Sequence, residues 1–313
     1  MNVYARSKDS IHPNIQILAM PLIRTLSRIA SSPLNRDRKV AALWRYAKWQ
    51  VGSRLVPGKV LVDWIDDVKF IAGPGERGLT GNIYTGLQEF HDMAYVLHVL
   101  EPSDWFADVG ANVGSYTLLA CGVAGARAYC FEPVPSTYLK LVMNLSVNNL
   151  LDRVEIYNQG VGDRIGVLRF TSEQNTINHV LAHDEAEPAI EVQVTPLDDC
   201  LGETPAVMKI DVEGYETMVL KGAHRVLGDE RLHSLLIELN GSGERYGFDE
   251  ESILSTLEGF GFRPYEYDAF SRRLTPLATR NQTSGNTLFI RDLDLAQRRT
   301  AAARRFRILG KEV

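Results

Sequence analysis

With 313 residues, 45% hydrophobic and 23% charged, the chain has room for one large domain with extensions. It has no apolar run of the roughly 18–20 residues that a bilayer span needs, and its N-terminus lacks the basic start and long apolar stretch of a secretory signal. Cys121, Cys130 and Cys200 have neither an even count nor metal-ligand spacing, so they read as reduced thiols of a cytoplasmic protein. Charge is unevenly spread: residues 1–60 hold 11 Lys and Arg against 2 Asp and Glu, residues 61–293 hold 17 against 35, and residues 294–313 hold 6 against 2. The acidic body argues against nucleic acid as a partner. The basic ends suit contact with an anionic membrane surface, with RNA, with the protein's own acidic body or with a second copy in a homo-oligomer.

In chain order, Ile15, Leu18, Leu22, Leu26 and Ile29 recur at helical spacing, and so do Val40, Leu43, Trp44 and Ala47 after the break "SSPLNRD". Residues 1–59 therefore read as a basic helical extension. "KVLVDWIDDVKFIAG" alternates on both sides of Asp66 and Asp67 and predicts a hairpin within 60–80. A helix is expected over Glu89–Leu100. Short apolar strands then alternate with helices: strands at Trp105–Val109, Ala128–Phe131, Val154–Asn158, Val207–Ile210 and Leu235–Leu239, helices at Ser115–Gly122, Ser136–Asn148, Glu216–Leu227 and Glu250–Phe260. Two last strands, near Phe262–Tyr267 and Thr287–Ile290, lack a helix between them and are expected as an antiparallel pair at one edge. The pattern predicts an α/β domain over 60–293, with its cofactor-binding core at 86–291 and a mostly parallel sheet covered on both faces. The basic run at 294–313 reads as a helical tail.

Ligands of such sheets sit beyond the carboxyl ends of the strands. The turn after the first strand, "DVGANVGSYT", has Gly110 and Gly114 for a sharp turn and Asn112, which tolerates left-handed backbone. A helix follows, with its amide end toward the turn. Glu132 closes the next strand, 18 residues past Gly114, where an acid can accept hydrogen bonds from both ribose hydroxyls of a nucleoside. Asn112 occupies the place where a dinucleotide fingerprint has its second glycine, and there is no P-loop lysine. The Asp108 carboxylate beside the turn suits a cationic amino-acid tail and repels phosphate. S-adenosylmethionine, leaving as S-adenosylhomocysteine, fits these groups better than NAD.

Together "DVGANVGSYT", "FEPVPSTYLKLVMNLSVNN", "VGDRIG", "TPLDDC", "MKIDVEGYETMVLKGA" and "LLIEL" resemble the FkbM family of S-adenosylmethionine-dependent methyltransferases, over about residues 80–291. The resemblance implies a class I methyltransferase, Rossmann-like fold: a seven-stranded, mostly parallel sheet with an antiparallel last strand. It implies that Asp108, Gly110, Asn112 and Gly114 line the methionine portion of the cofactor, that Glu132 holds the ribose, that Pro133 lies against the adenine, and that Gly160, Val161 and Gly162 form the opposite wall. It implies that Asp211 faces the sulfonium, and that the reaction is O-methylation of a hydroxyl on a saccharide, glycolipid or polyketide-type product.

An alcohol nucleophile must lose a proton, which makes Asp211 the first candidate base and His179, in the polar stretch 171–188, the second. Glu213, Glu238 and Asn240 lie near strand ends and are candidates for the acceptor site, and Glu89 for closure over the methionine end. Asp211, Glu213, Glu216 and Glu238 offer oxygen ligands for a divalent cation, but no dedicated metal motif is visible. Glu216 also reads as a first-turn acid complementing a helix dipole. Two other readings stay open at this point: a non-catalytic, cofactor-binding scaffold of the same fold, and an NAD-linked oxidoreductase, for which no hydride-handling constellation appears.

Overall fold

The computed structural model of the protein describes residues 13–56, 58–74, 78–171, 178–182 and 187–313. It starts with two helices, α1 (Pro13–Ser31) and α2 (Lys39–Leu55), separated by a 3-10 turn at Pro33–Asn35. A hairpin of β1 (Val60–Asp63) and β2 (Lys69–Ala72) turns through Asp66, whose φ is +52°. Then come α3 (Thr80–Thr85) and α4 (Phe90–Val99).

The expected alternation follows. The first half contains β3 (Trp105–Val109), the short α5 (Ser115–Thr117) with a wider π-helical turn over Leu118–Val123, β4 (Arg127–Phe131), α6 (Pro135–Ser146) and β5 (Val154–Tyr157). Between the halves lie β6 (Gly160–Val161), β7 (Gly166–Thr171), β8 (Ala189–Thr195) and α7 (Leu197–Cys200). The second half contains β9 (Val207–Ile210), α8 (Glu216–Lys221), α9 (His224–Gly228), β10 (Ser234–Glu238), α10 (Glu250–Gly259), β11 (Arg263–Asp268), β12 (Arg273–Pro276) and β13 (Asn286–Ile290). The chain ends with α11 (Leu293–Ala302) and a small hairpin of β14 (Arg307–Ile308) and β15 (Lys311–Glu312).

The main sheet runs β12-β11-β13-β10-β9-β3-β4-β5, with β10, β9, β3, β4 and β5 parallel and β13 antiparallel to both neighbours. This is the class I methyltransferase order. It holds eight strands rather than seven because β12 adds an antiparallel edge; the two last expected strands, β11 and β13, do pair antiparallel, with β13 seated between β10 and β11. The strands alternate as a doubly covered sheet requires. Phe106, Ala128, Cys130, Val207 and Leu236 enter one core, and Ala107, Val109, Tyr129, Phe131, Met208 and Ile210 the other.

Three further expectations are corrected. A separate sheet, β6-β8-β7, packs through Phe170, Val180, Val192 and Val194, in a stretch where no strands were expected. The helix expected over Glu216–Leu227 is broken at Gly222, where a Cβ would lie 1.9 Å from the Gly162 carbonyl oxygen. Its second part is restarted by Asp198, whose carboxylate accepts the Arg225 and Val226 N–H groups. The basic tail is helical only to Ala302, after which Phe306, Ile308 and Val313 are buried in the main core.

Among the described residues, both basic ends pack on the rest of the chain. Arg299 pairs with Glu101 and Asp104, Arg304 with Asp66, and Lys311 with Asp37. The N-terminal helices are tied to α3 through Asn35, which is fully buried. Its Nδ2 donates to the Ile29 and Tyr84 carbonyls at 2.8 and 3.0 Å, and its Oδ1 accepts from Arg45 at 2.7 Å. Among the described residues no helix is long and apolar enough to cross a membrane. Removing this knot by Asn35→Ala is expected to cost ~1–3 kcal/mol in urea unfolding. Limited proteolysis within 22–55 should accelerate in the variant, and unchanged cleavage would show that the helices are held by other contacts.

Candidate active site

The strand ends of β3, β4 and β9 create the site. After β3 the backbone turns through Gly110 (φ +81°), Asn112 (φ +50°) and Gly114 (φ +92°), as the residue types suggested. Gly110 has a reason that the sequence did not show: a Cβ there would lie 1.8 Å from the Asp211 carbonyl oxygen, so the close approach is between two strand-end loops. The Gly110 and Ala111 N–H groups both donate to the Phe131 carbonyl, at 3.0 and 2.9 Å. Glu132 is 5% exposed; its Oε2 accepts from Asn112 N–H at 3.0 Å and its Oε1 from Val134 N–H at 2.9 Å. Burial pushes its carboxyl up to about 7 against those two hydrogen bonds.

These groups face a cavity of ≈ 70 Å³ whose walls include Gly110, Asn112, Glu132, Pro133, Gly160 and Val161, with Asp211 and Glu213 beside them. An acid between apolar surfaces fits the ribose and base of a nucleoside. The volume is below the roughly 300–1,000 Å³ usual for ligand sites, so a nucleoside would need the walls to spread. Gly160, Val161 and Phe170 of this wall belong to the smaller β6-β8-β7 sheet, outside the main one.

Asp108 is not on this wall. It is 1% exposed, and its Oδ2 accepts from Thr117 Oγ1 at 2.7 Å, which anchors α5 under the turn. Gly114 and Gly162 also lie behind the lining. His179 is buried outside the lining, its N–H donating to Thr171 Oγ1, while the neighbouring Asn178 reaches the cavity. Residues 172–177 and 183–186 of the polar stretch lie outside the described residues. Asn240 is exposed, its Oδ1 accepts from Ser242 N–H, and it lines with Glu216 and Glu238 a small hollow separate from this cavity. Glu216 turns inward, and its Oε1 accepts from Val212 and Gly214 N–H at 3.2 and 3.1 Å. It thereby holds the loop that carries Asp211 and Glu213, the latter at φ +54°.

The residue that sequence reasoning missed is Lys209. It is 4% exposed in the middle of β9 and lies in register with Asp108 on β3. Its Nζ donates to Asp211 Oδ2 at 2.8 Å and lies 5.1 Å from the centre of the Tyr116 ring. Tyr116 in turn donates to Glu89 Oε2 at 2.5 Å. The signal was present: a lysine inside "VMKI", a strand buried on both faces, must be paired. Asp211, Glu213 and Glu238 do come together, with one ligand atom from each within 4.8 Å of the others, a spacing that could hold a hard cation. Burial, reinforced by Asp211 and Glu213, pushes Glu238 up to about 9, and its buried Oε2 has no hydrogen-bond partner.

On the far side of Glu89 opens a second cleft, of ≈ 1210 Å³, bounded by the N-terminal helices, α3, the start of α4 and the segment before β13. Gly78 lines it, and a Cβ there would lie 3.0 Å from Asn112 Oδ1, so the two hollows adjoin. Glu89 and Asp92 belong to this larger cleft rather than to the nucleoside-shaped one.

Residues 108–264, half of the chain, match the methyltransferase FkbM domain. The chain belongs to this family. It is 25% identical over 169 residues to methyltransferase sdnD of Sordaria araneosa (42% of this chain, 65% of the relative). It is 27% identical over 151 residues to the hexuronic acid methyltransferase AglP of Haloferax volcanii (46% and 59%). It is 26% identical over 211 residues to the 31-O-demethyl-FK506 methyltransferase FkbM of Streptomyces tacrolimicus (55% and 78%). The chain thus spans under two thirds of the length of the first two relatives. The family match stops short of the N-terminal helices and α3 that bound the larger cleft.

Asp92 offers a test of the electrostatics. Its Oδ2 accepts from Ser284 Oγ and Asn286 Nδ2, and burial with Glu89 nearby pushes its carboxyl up to about 7. An acid with a raised folded pKa keeps its proton longer in the native than in the unfolded chain, so stability falls as pH rises from about 4 to about 7. Asp92→Asn removes this loss. The variant should match wild type near pH 4 and exceed it by ~1–3 kcal/mol at pH 8 in denaturant unfolding; a pH-independent difference would mean that the carboxyl is not perturbed.

Proposed function

We propose that this protein is an S-adenosylmethionine-dependent O-methyltransferase acting on a hydroxyl of a saccharide, glycolipid or polyketide-type acceptor. The observation that carries this reading is the meeting of the nucleoside-shaped cavity with the larger cleft across the seam Asp211–Lys209–Tyr116–Glu89. The names of two relatives, which specify a hexuronic acid and 31-O-demethyl-FK506, support hydroxyl-bearing acceptors.

When bound, the cofactor supplies a methyl group on a sulfonium, already activated for transfer. The protein's part is then to bind, orient and take a proton. Glu132 accepts ribose hydroxyls with lone pairs not used by Asn112 and Val134, and Pro133 and Val161 cover the base. Lys209 fixes Asp211, whose carboxylate takes the proton of the acceptor hydroxyl. Glu238 keeps its own proton and shares it with Asp211, which limits the negative charge gathered at the seam. Positioning does much of the work, and the base adds about 10²- to 10⁴-fold.

Calorimetric titration should show micromolar binding of S-adenosylmethionine, weakened at least tenfold in Glu132→Ala, about the cost of one lost charged hydrogen bond. Because the ionised Glu132 is the acceptor and its carboxyl lies near 7, affinity should fall as pH drops below 7. Absence of binding at millimolar cofactor would sink the reading. Once an acceptor is found, Asp211→Asn should lower kcat about 10²- to 10⁴-fold with little change in cofactor affinity.

For a partner, we propose an anionic lipid surface against the outer face of α2. There Val40, Trp44, Val51 and Leu55 are 83, 68, 58 and 76% exposed along one stripe, beside Lys39 and Lys48, and α2 contains no acid. Such a stripe suits an interfacial helix. Vesicles with anionic lipid should sediment the wild type but not Trp44→Ser/Leu55→Ser. Equal recovery of both, or self-association through this face in light scattering, would replace the lipid with another occupant.

A further inference from the structure

We infer that the acceptor is a polyhydroxylated molecule with an anionic group, and that Arg28 and Arg54 of the N-terminal helices bind that group. The inference rests on the larger cleft being the acceptor site and adds to it the chemical class of the ligand.

Size comes first. At ≈ 1210 Å³ the cleft exceeds the roughly 300–1,000 Å³ of common small-molecule sites, which favours a glycan or large glycoside over a single small ring. Lining chemistry comes second. Tyr46, Trp49 and Tyr84 present ring surface, and Gln50 and Gln88 present amides. Rings cover the C–H faces of a sugar, while amides both donate to and accept from its hydroxyls.

Charge comes third and decides the class. The body wall of the cleft carries Glu89, Asp92 and Glu266, whereas the helical wall carries Arg28 and Arg54. Among the described residues neither arginine is paired with a carboxylate. Arg54 Nη1 donates to the Gln50 carbonyl and to its Oε1, at 2.5 and 2.8 Å, which holds the guanidinium beside the amide. Its other N–H groups and those of Arg28 have no protein acceptor there. A guanidinium held in this way presents the planar, charge-assisted donors that suit carboxylate or phosphate.

The opposed walls also orient the ligand. An anionic group is drawn to the arginines on the helical wall, so a neutral hydroxyl is the part left to face the body wall and the Asp211 seam. The helical extension, which lies outside the family match, thus selects the acceptor while the sheet performs the transfer.

The test uses the full chain and two matched pairs of probes in ligand-observed NMR: p-nitrophenyl β-D-glucuronide against the β-D-glucoside, and glucose 6-phosphate against glucose. At ~50 mM salt, where screening is still modest, the anionic member of at least one pair should bind roughly tenfold tighter, the worth of one charge-assisted hydrogen bond. Preference in the first pair alone assigns a carboxylate, and in the second alone a phosphate. Arg28→Ala/Arg54→Ala should abolish the preference, and Arg28→Lys/Arg54→Lys should keep part of it. Cofactor binding should stay within twofold in both variants. Equal binding of charged and neutral probes, no binding of any probe, or a preference that survives the alanine variant would overturn the inference. If the preference holds but S-adenosylmethionine does not bind, the anion site stands and the methyltransferase reading falls.

Discussion

One ammonium group organises the centre of this molecule. Lys209 sits inside a strand covered on both faces, where a charge survives only with partners. Asp211 is hydrogen-bonded to it, Asp108 lies across the ladder, and Tyr116 stands between it and Glu89. The attraction is largely offset by desolvating so many groups, so the cluster is a poor source of net stability. What it fixes is position. Asp108 holds α5 through Thr117, and α5 sets the angle of the glycine turn. Asp211 is held at the end of β9, where the two hollows meet.

The acids around Lys209 outnumber it, and several hold their protons well above the ordinary carboxylate range because burial and mutual repulsion oppose ionisation. Asp92, Glu132, Glu213 and Glu216 are each pushed up to about 7. The same surplus performs different tasks according to what each carboxylate touches. Glu216 and Glu132 bind backbone N–H groups and shape loops. Glu213 and Asp211 are left partly open beside the cavity.

Much of this was legible in the residues. The alternation of apolar strands with helices located every parallel strand of the main sheet, because a strand buried on both faces has little freedom in composition. Glu132 and the glycine turn pointed to a nucleoside because their spacing follows from one strand–turn–helix unit. Three-dimensional juxtaposition was the part that sequence could not carry. Asp108 looked like a lining residue, since position in a strand does not say which side of the turn its side chain takes. Lys209 drew no attention because its partners are 101, 2 and 120 residues away. The larger cleft was invisible, since its walls come from both ends of the described chain.

The seam at Glu89 also separates two kinds of heritable change. Residues 108–264 contain the glycine turn, Glu132 and Asp211, all locked by strand register and by loops in backbone contact. The N-terminal helices are attached through a compact knot at Asn35, Arg45 and Tyr84. Substitutions on their inner face therefore leave the strand-end geometry intact. The larger cleft is thus walled on one side by the sheet domain and on the other by helices whose cleft-facing side chains can differ without disturbing the strand ends.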